Sequence, residues 1–156
     1  MTGGEELKHV MQRYPTGVAV VTVDLEGEQL GLTVASLVSV ALEPPLVAVS
    51  IAHQAALHEL LRGAGGFAVS LLSAEQLHLA QHFARGVPPI ALWQGIDKRD
   101  GLRGPLIADA LGWLECVLAA EHEAGDHTLF VGRVERSEPG VHATPLIRLG
   151  GDYGAA

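Results

Sequence analysis

A chain of 156 residues is of ordinary single-domain size and long enough to bury a core. Apolar residues make up 48% and charged ones 18%, which excludes disorder and leaves apolar surface to hide against a second copy, so a homodimer is expected. The formal net charge is −8 at pH 7. Lys8 and Lys98 are the only lysines, and Arg133 and Arg136 sit beside Glu135 and Glu138, so no basic stripe forms and nucleic acid is excluded as a partner.

The chain opens Met1-Thr2-Gly3-Gly4-Glu5-Glu6, without the basic start and apolar core of a signal peptide, and no apolar run reaches the ~18 residues of a membrane span. A cytoplasmic protein that does not engage a membrane is the expectation. Residues 5–13 predict a short helix with Leu7, Val10 and Met11 on one face, ended by Pro15. Thr16–Asp24 is a β-branched strand, Glu26-Gly27-Glu28 a hairpin turn, and Gln29–Val34 its return strand. After a loop Ala35-Ser36-Leu37, Val38–Leu42 is a short strand ended by Pro44-Pro45, and Leu46–Ile51, apolar but for Ser50, is expected to be a strand buried on both faces. Ala55–Arg62 is a helix with Leu57, Leu60 and Leu61 on one side, and Phe67–Leu72 a strand opened by Gly65-Gly66. Ser73-Ala74-Glu75-Gln76 fits a capping box, with serine at the N-cap of a helix through about Phe83.

Residues 85–110 are rich in glycine and proline, as in Gly86-Val87-Pro88-Pro89 and Gly101-Leu102-Arg103-Gly104-Pro105, and predict a long functional or covering excursion. Gly112–His122 and His127–Ser137 form a last long hairpin, and Leu146–Leu149 a final short strand. Cys116, the only cysteine, lies in an alternating run, which makes it a small core residue of a reducing compartment, with no disulfide. Many antiparallel strands with few short helices give a mainly β fold, a closed or nearly closed barrel with helices outside, in one domain spanning 1–156. The βαβ rhythm, the G-x-G-x-x-G pattern and the Walker pattern are absent.

Three constellations bear on chemistry. His78 and His82 stand four apart on a predicted helix, but no third ligand is identifiable and a metal is not expected. Serines 36, 39, 50, 70 and 73 sit on strands or loop edges with no G-x-S-x-G elbow, which removes a serine hydrolase. Thr33, Ser36 and Ser39, spaced by three between two strands, leave approachable backbone and neutral hydrogen-bond partners, suited to a flat heteroaromatic ring or to a turn that bonds itself. In Gly125-Asp126-His127-Thr128-Leu129-Phe130-Val131-Gly132, His127 stands between a tight turn and an apolar strand, where a fold presents a side chain to a ligand.

Five phrases in order, Tyr14–Thr22, Gly31–Ser39 followed by Pro44–Val47, Leu72–Gln76, Leu111–Cys116 and Gly125–Val134, resemble the flavin reductase family, the NAD(P)H:flavin oxidoreductases that accompany two-component monooxygenases. The resemblance runs from about residue 8 to residue 153. It implies the FMN-binding split β-barrel, Greek-key and antiparallel, as a homodimer with FMN or FAD at the barrel edge, NADH or NADPH as co-substrate, and a flavin-dependent monooxygenase as partner.

Carried over residue by residue, the resemblance implies that Thr33, Val34, Ala35 and Ser36 line the isoalloxazine, with Ser39 closing that loop. Ser50, Ile51, Ala52 and His53 follow the ribityl chain toward the phosphate. Phe83 and Ala84 lie beside the flavin, Tyr153 near its ring, and His127 next to the nicotinamide as the catalytic residue. Gln54-Ala55-Ala56 departs from the hydroxyl or basic side chains that relatives often place at the phosphate, leaving that task to backbone N–H groups and His53. The same fold also holds flavin-binding or electron-transfer proteins that do not turn over, and a dimer without cofactor is a third reading.

Overall fold

The computed structural model describes residues 2–86 and 89–155; Val87 and Pro88 of the Gly/Pro-rich excursion lie outside the described residues. The chain opens with α1 (Gly3–Met11), where Thr2 Oγ1 accepts from Glu5 N and Glu5 Oε2 from Thr2 N. This capping box went unread in the sequence. β1 (Thr16–Gly17), β2 (Ala19–Leu25), β3 (Glu28–Val34), β4 (Val38–Leu42) and β5 (Pro45–Ala52) precede α2 (Ala56–Ala64) and β6 (Gly66–Leu71). Then come α3 (Leu77–Ala84), α4 (Pro89–Leu92), β7 (Lys98–Asp100), β8 (Pro105–Ile107), β9 (Gly112–Ala124), β10 (His127–Pro139), β11 (Leu146–Leu149) and β12 (Asp152–Ala155).

Seven strands form one sheet in the order β3-β2-β6-β9-β10-β5-β4, antiparallel at every pairing. Its two edges, β3 and β4, are consecutive in the chain and joined only by residues 35–37. At 3.3–3.6 Å per residue this connection spans at most ~14 Å, so the sheet must curl until its edges nearly meet. They do not pair, and the barrel is split there. The mainly β, nearly closed antiparallel fold expected from the sequence is what forms.

Alternating and continuous apolar runs explain the core. β2 is buried from Ala19 through Val23, because the sheet interior takes one face and α2, with Leu57 and Leu61 buried, covers the other. Each such leucine contributes about 1.5–3 kcal/mol by leaving water. Phe67, Val69, Cys116 and Phe130 complete the centre. Burial pushes the Cys116 thiol up to about 12, so it is inert packing, as its alternating run predicted.

Two expectations need correction. The helix after Ser73 starts only at Leu77, with Gln76 as its N-cap. Ser73 is drawn into a β-bridge with Pro145 and Ala74 N donates to Thr144 O, so tertiary pairing keeps the segment extended. Half of the expected box survives, with Gln76 Oε1 accepting from Ser73 N at 3.0 Å while Gln76 Nε2 donates to Ala108 O. The excursion is also more ordered than its composition suggested. It holds α4 and the β7–β8 hairpin, pinned by Thr22 Oγ1 donating to Pro105 O, Ser70 Oγ accepting from Ile107 N and Trp93 Nε1 donating to Gln29 O. It covers the barrel as anticipated, through side chains that local propensity cannot weigh. β12, unread in a glycine-rich tail, adds to β11 and β1 as a small second sheet.

Candidate functional site

The split between β3 and β4 is where backbone lies open. Val34 turns its side chain into the core, so only its peptide faces outward. Thr33 Oγ1 donates to Ala80 O at 2.7 Å, which ties β3 to α3. Ser36 spans the split, its Oγ donating to Ser50 O at 3.1 Å and accepting from Ser50 N at 3.0 Å. Ala35 and Ser36 are thereby held against β5. Ser39 does not close this loop as expected: it is exposed on edge strand β4, opposite Val47. The closing hydroxyl is Ser36, because only it reaches an open backbone pair across the split.

The far end of β5 meets the start of β10. His127 pairs with Ala52, Thr128 with Ile51 and Leu129 with Ser50, so Ser50 through His53 and His127 gather at one end of the barrel. The His127 side chain is 42% exposed, and its Nδ1 lies 2.7 Å from Asp126 Oδ1. The hydrogen bond from His127 holds the Asp126 carboxyl below its usual range. A carboxylate only accepts, so Nδ1 carries the proton and Nε2 is left to face a ligand. His53 N donates to Asp126 O at 2.9 Å, and His53 Nε2 lies 2.7 Å from Glu123 Oε2.

Beside these residues α2 begins at Ala56 with Ala55 as an N-cap that makes no side-chain bond, so the Ala56 and Leu57 amides have no capping side chain, while His58 N donates to Ala55 O at 3.0 Å. A cleft of about 260 Å³ runs from Gly31 and Leu32 past Gln54–Leu57 to Phe83 and Ala84, and none of the described residues lining it is acidic. In a chain of net charge −8, a cleft that holds the Ala56 and Leu57 helix start and is lined by no carboxylate among the described residues fits an anionic phosphate. Phe83 is buried beneath this cleft, 5.1 Å from Trp93, and a Cβ on Gly31 would fall 2.9 Å from its ring. Its main contacts are core, while Ala84 is exposed at the rim.

A second cleft of about 630 Å³ opens on the other side of Ala35 and Ser36, toward Tyr14, Thr16 and Leu146. Tyr153 lines neither cleft. It is half-buried on β12, under the Arg148 guanidinium at 5.7 Å. His82 Nε2 bonds Leu92 O at 2.6 Å, on the helix that also carries His78. Sequence reasoning missed the polar group behind His127, in which buried His58 and Thr128 meet the exposed Glu123. One signal was available: Thr128 alternates with Phe130 and Gly132 on the buried face of β10, and a polar residue on such a face needs a partner.

The family model described as "Flavin reductase like domain" matches residues 11–156. The chain is 39% identical, over 92% of its length and 90% of the relative, to the reductase component of 4-hydroxyphenylacetate 3-monooxygenase of Thermus thermophilus. It is 42% identical, over 83% of its length and 72% of the relative, to an NADH-dependent FAD reductase of Streptomyces globisporus. Among solved structures, the NADH:FAD oxidoreductase SgcE6 of Streptomyces globisporus C-1027, in complex with NAD and FAD fragments, superposes with a TM-score of 0.90 at 36% identity, covering 97% of this chain and 91% of that one. With a match over nearly its whole length, on a barrel split at the Thr33–Ser36 backbone, this chain belongs to the family of flavin reductase like domains.

Proposed function

We propose that this chain is an NADH-dependent flavin reductase that supplies reduced FMN or FAD to a partner monooxygenase. The observation that carries the reading is the convergence of Ser36, Ser50 and His127 on one end of β5, next to a phosphate-compatible cleft. Its relatives' names point the same way, including an NADH-dependent FAD reductase and a monooxygenase reductase component.

When both are bound, the nicotinamide supplies hydride to the flavin ring, which requires the two rings stacked at about 3–3.5 Å. The protein's task is then to hold and orient. The backbone of Val34, Ala35 and Ser36 offers donors and acceptors to a ring edge. Thr33 contributes through its position, since its hydroxyl hydrogen is already given to Ala80 O. Ser50, Ile51 and Ala52 lie along the path to the phosphate, which the first-turn amides of α2 and His53 would hold, with Ala84 at the rim. His127 Nε2 accepts a hydrogen bond from the carboxamide of the nicotinamide and so selects the face presented. It moves no proton in this role.

The protein acts as one domain, a homodimer and a cytoplasmic enzyme in this proposal. Leu7, Val10 and Met11 on α1 and Val40 and Leu42 on β4 are exposed, apolar surface that a second copy would cover; light scattering on the purified protein tests the dimer. Among the described residues no helix is long and apolar enough to cross a membrane. The activity is tested by NADH and NADPH oxidation with and without added FMN or FAD. Turnover that depends on flavin is expected, fastest with NADH. Absence of flavin-dependent turnover with either nicotinamide overturns the enzyme reading in favour of a flavin-binding protein, and absence of flavin fluorescence quenching removes the cofactor altogether.

A further inference from the structure

Behind His127 runs a series of side-chain hydrogen bonds that the proposed reaction does not use. Thr128, wholly buried beside His127, donates its hydroxyl hydrogen to Glu123 Oε1 at 3.0 Å. That bond is the first cause of a Glu123 carboxyl held below its usual range. A hydroxyl has one hydrogen, so Thr128 Oγ1 can only accept from its other neighbour, His58 Nε2, 2.7 Å away. The second Glu123 oxygen takes His53 Nε2 at 2.7 Å. The series therefore runs from His58 to Thr128 to Glu123, and His53 meets it from the β5–α2 turn.

His58 is 3% exposed, with Phe130 at 5.1 Å and His53 at 5.3 Å between ring centres. Its Nδ1 is buried without a hydrogen-bond partner, and the nearest carboxylate oxygen, Glu59 Oε1, lies 3.4 Å away. A leucine or phenylalanine there would avoid an unpaired polar atom, whose burial costs free energy. What the imidazole supplies instead is a donor that orients Thr128, whose peptide is shared with His127. A two-residue hairpin end is ordinarily among the first parts of a fold to open. This one is held on both strands, through Thr128 on β10 and Glu123 on β9.

We propose that His58 is a positioning residue for nicotinamide binding, acting through Thr128 and Glu123 to hold the Gly125-Asp126 turn so that His127 presents Nε2 at one fixed place. The proposal rests on the nicotinamide role of His127 given above. Its effect is read on the nicotinamide, because the bond removed, from the His58 side chain to Thr128, lies outside the cleft assigned to the phosphate, while the α2 backbone that carries His58 stays in place and His53 keeps its own bond to the other Glu123 oxygen.

The test uses the full chain with FMN and compares His58→Leu, His58→Gln, Thr128→Val and His127→Ala. His58→Leu and Thr128→Val should raise KM for NADH about fivefold or more, with flavin affinity by fluorescence quenching within about twofold. His58→Gln, whose amide Nε2 can donate to Thr128, should restore the wild-type KM. Nitrogen NMR of the His127 ring should show the Nδ1–H form in the wild type and a mixture of forms in Thr128→Val. If His58→Leu does not fold, the smaller Thr128→Val change decides. A lowered Tm with NADH KM and the His127 ring signal unchanged would reduce His58 to packing and overturn the proposal. An equal loss of flavin and NADH affinity would overturn it too. If His127→Ala leaves NADH KM unchanged, the role of His127 falls and this proposal with it; if His127→Ala raises KM and Thr128→Val does not, the role of His58 alone falls.

Discussion

The β2–β3 and β9–β10 hairpins turn on similar two-residue connections but end in different surroundings. In the first, Glu26 and Gly27 take φ of 54° and 90°, Gly27 N donates to Asp24 Oδ1 at 2.9 Å and Gln29 Nε2 to Asp24 Oδ2 at 3.0 Å. The Glu26-Gly27 turn itself is completed by its own residues and is exposed, with Trp93 reaching only the strand beside it, at Gln29 O. In the second, Gly125 takes φ of 61°, and the turn is docked on the β5–α2 segment through His53 N to Asp126 O, His53 to Glu123 and His58 to Thr128. Turn chemistry makes a hairpin; docking makes its first strand residue a fixed part of a site. The difference lies in what the neighbouring element offers, not in the turn.

The comparison can be broken most forcefully from beneath. Phe130, wholly buried on β10 and in ring contact with His58, supports the docked hairpin, and Phe130→Ala should cost about 3–5 kcal/mol in denaturant unfolding. Removing what the docking presents comes next. His127→Ala should keep flavin and lose at least about tenfold in kcat/KM for NADH, or about 1.4 kcal/mol; unchanged kinetics would remove its role. The two turns can then be set directly against each other. Gly27→Ala and Gly125→Ala each force a side chain into a positive φ with open space around it, at about 1 kcal/mol apiece in thermal unfolding. Only Gly125→Ala should raise the KM for NADH, and equal kinetics would erase the distinction between the hairpins.

The smallest effect concerns pH. Hydrogen bonding from Thr128, then the proximity of His53, lowers the Glu123 pKa. A carboxylate lowered in this way contributes stability above its unfolded pKa, near ~4.3, and loses it as pH falls through the lower folded value. Wild type should therefore exceed Glu123→Gln in Tm at about pH 6–8, and the two should converge as pH drops below about 4. A Tm difference that stays constant across that window would show that Glu123 is not held ionised by the docking.

Much of the scaffold was legible because strand signals are local. Period-two alternation, β-branched runs and Gly/Pro punctuation located β2 through β6, β9 and β10 to within a few residues. The Ser73 box misled because a partner some seventy residues away, Pro145, outcompeted a local cap. In the candidate site, the position of His127 directly after a turn and the small hydroxyl of Ser36 were readable from the sequence. The partners were not: Ser50 for Ser36, Ala80 for Thr33 and His58 for Thr128 come from elements that meet only in the fold. Ser39 looked equivalent to Ser36 in spacing, but the curl of β4 along β5 sets it opposite Val47 instead.

The amino-acid order alone determined most strands of the seven-stranded sheet, the turn before His127 and the small apolar setting of Cys116, because these follow from short local patterns. The split in the barrel, the hydroxyl that spans it and the docking of the hairpin before His127 were decided only by tertiary structure. Each depends on hydrogen bonds or a close approach between distant segments, and its geometry exists only once the sheet has curled to bring β3, β4 and the β5–α2 turn together.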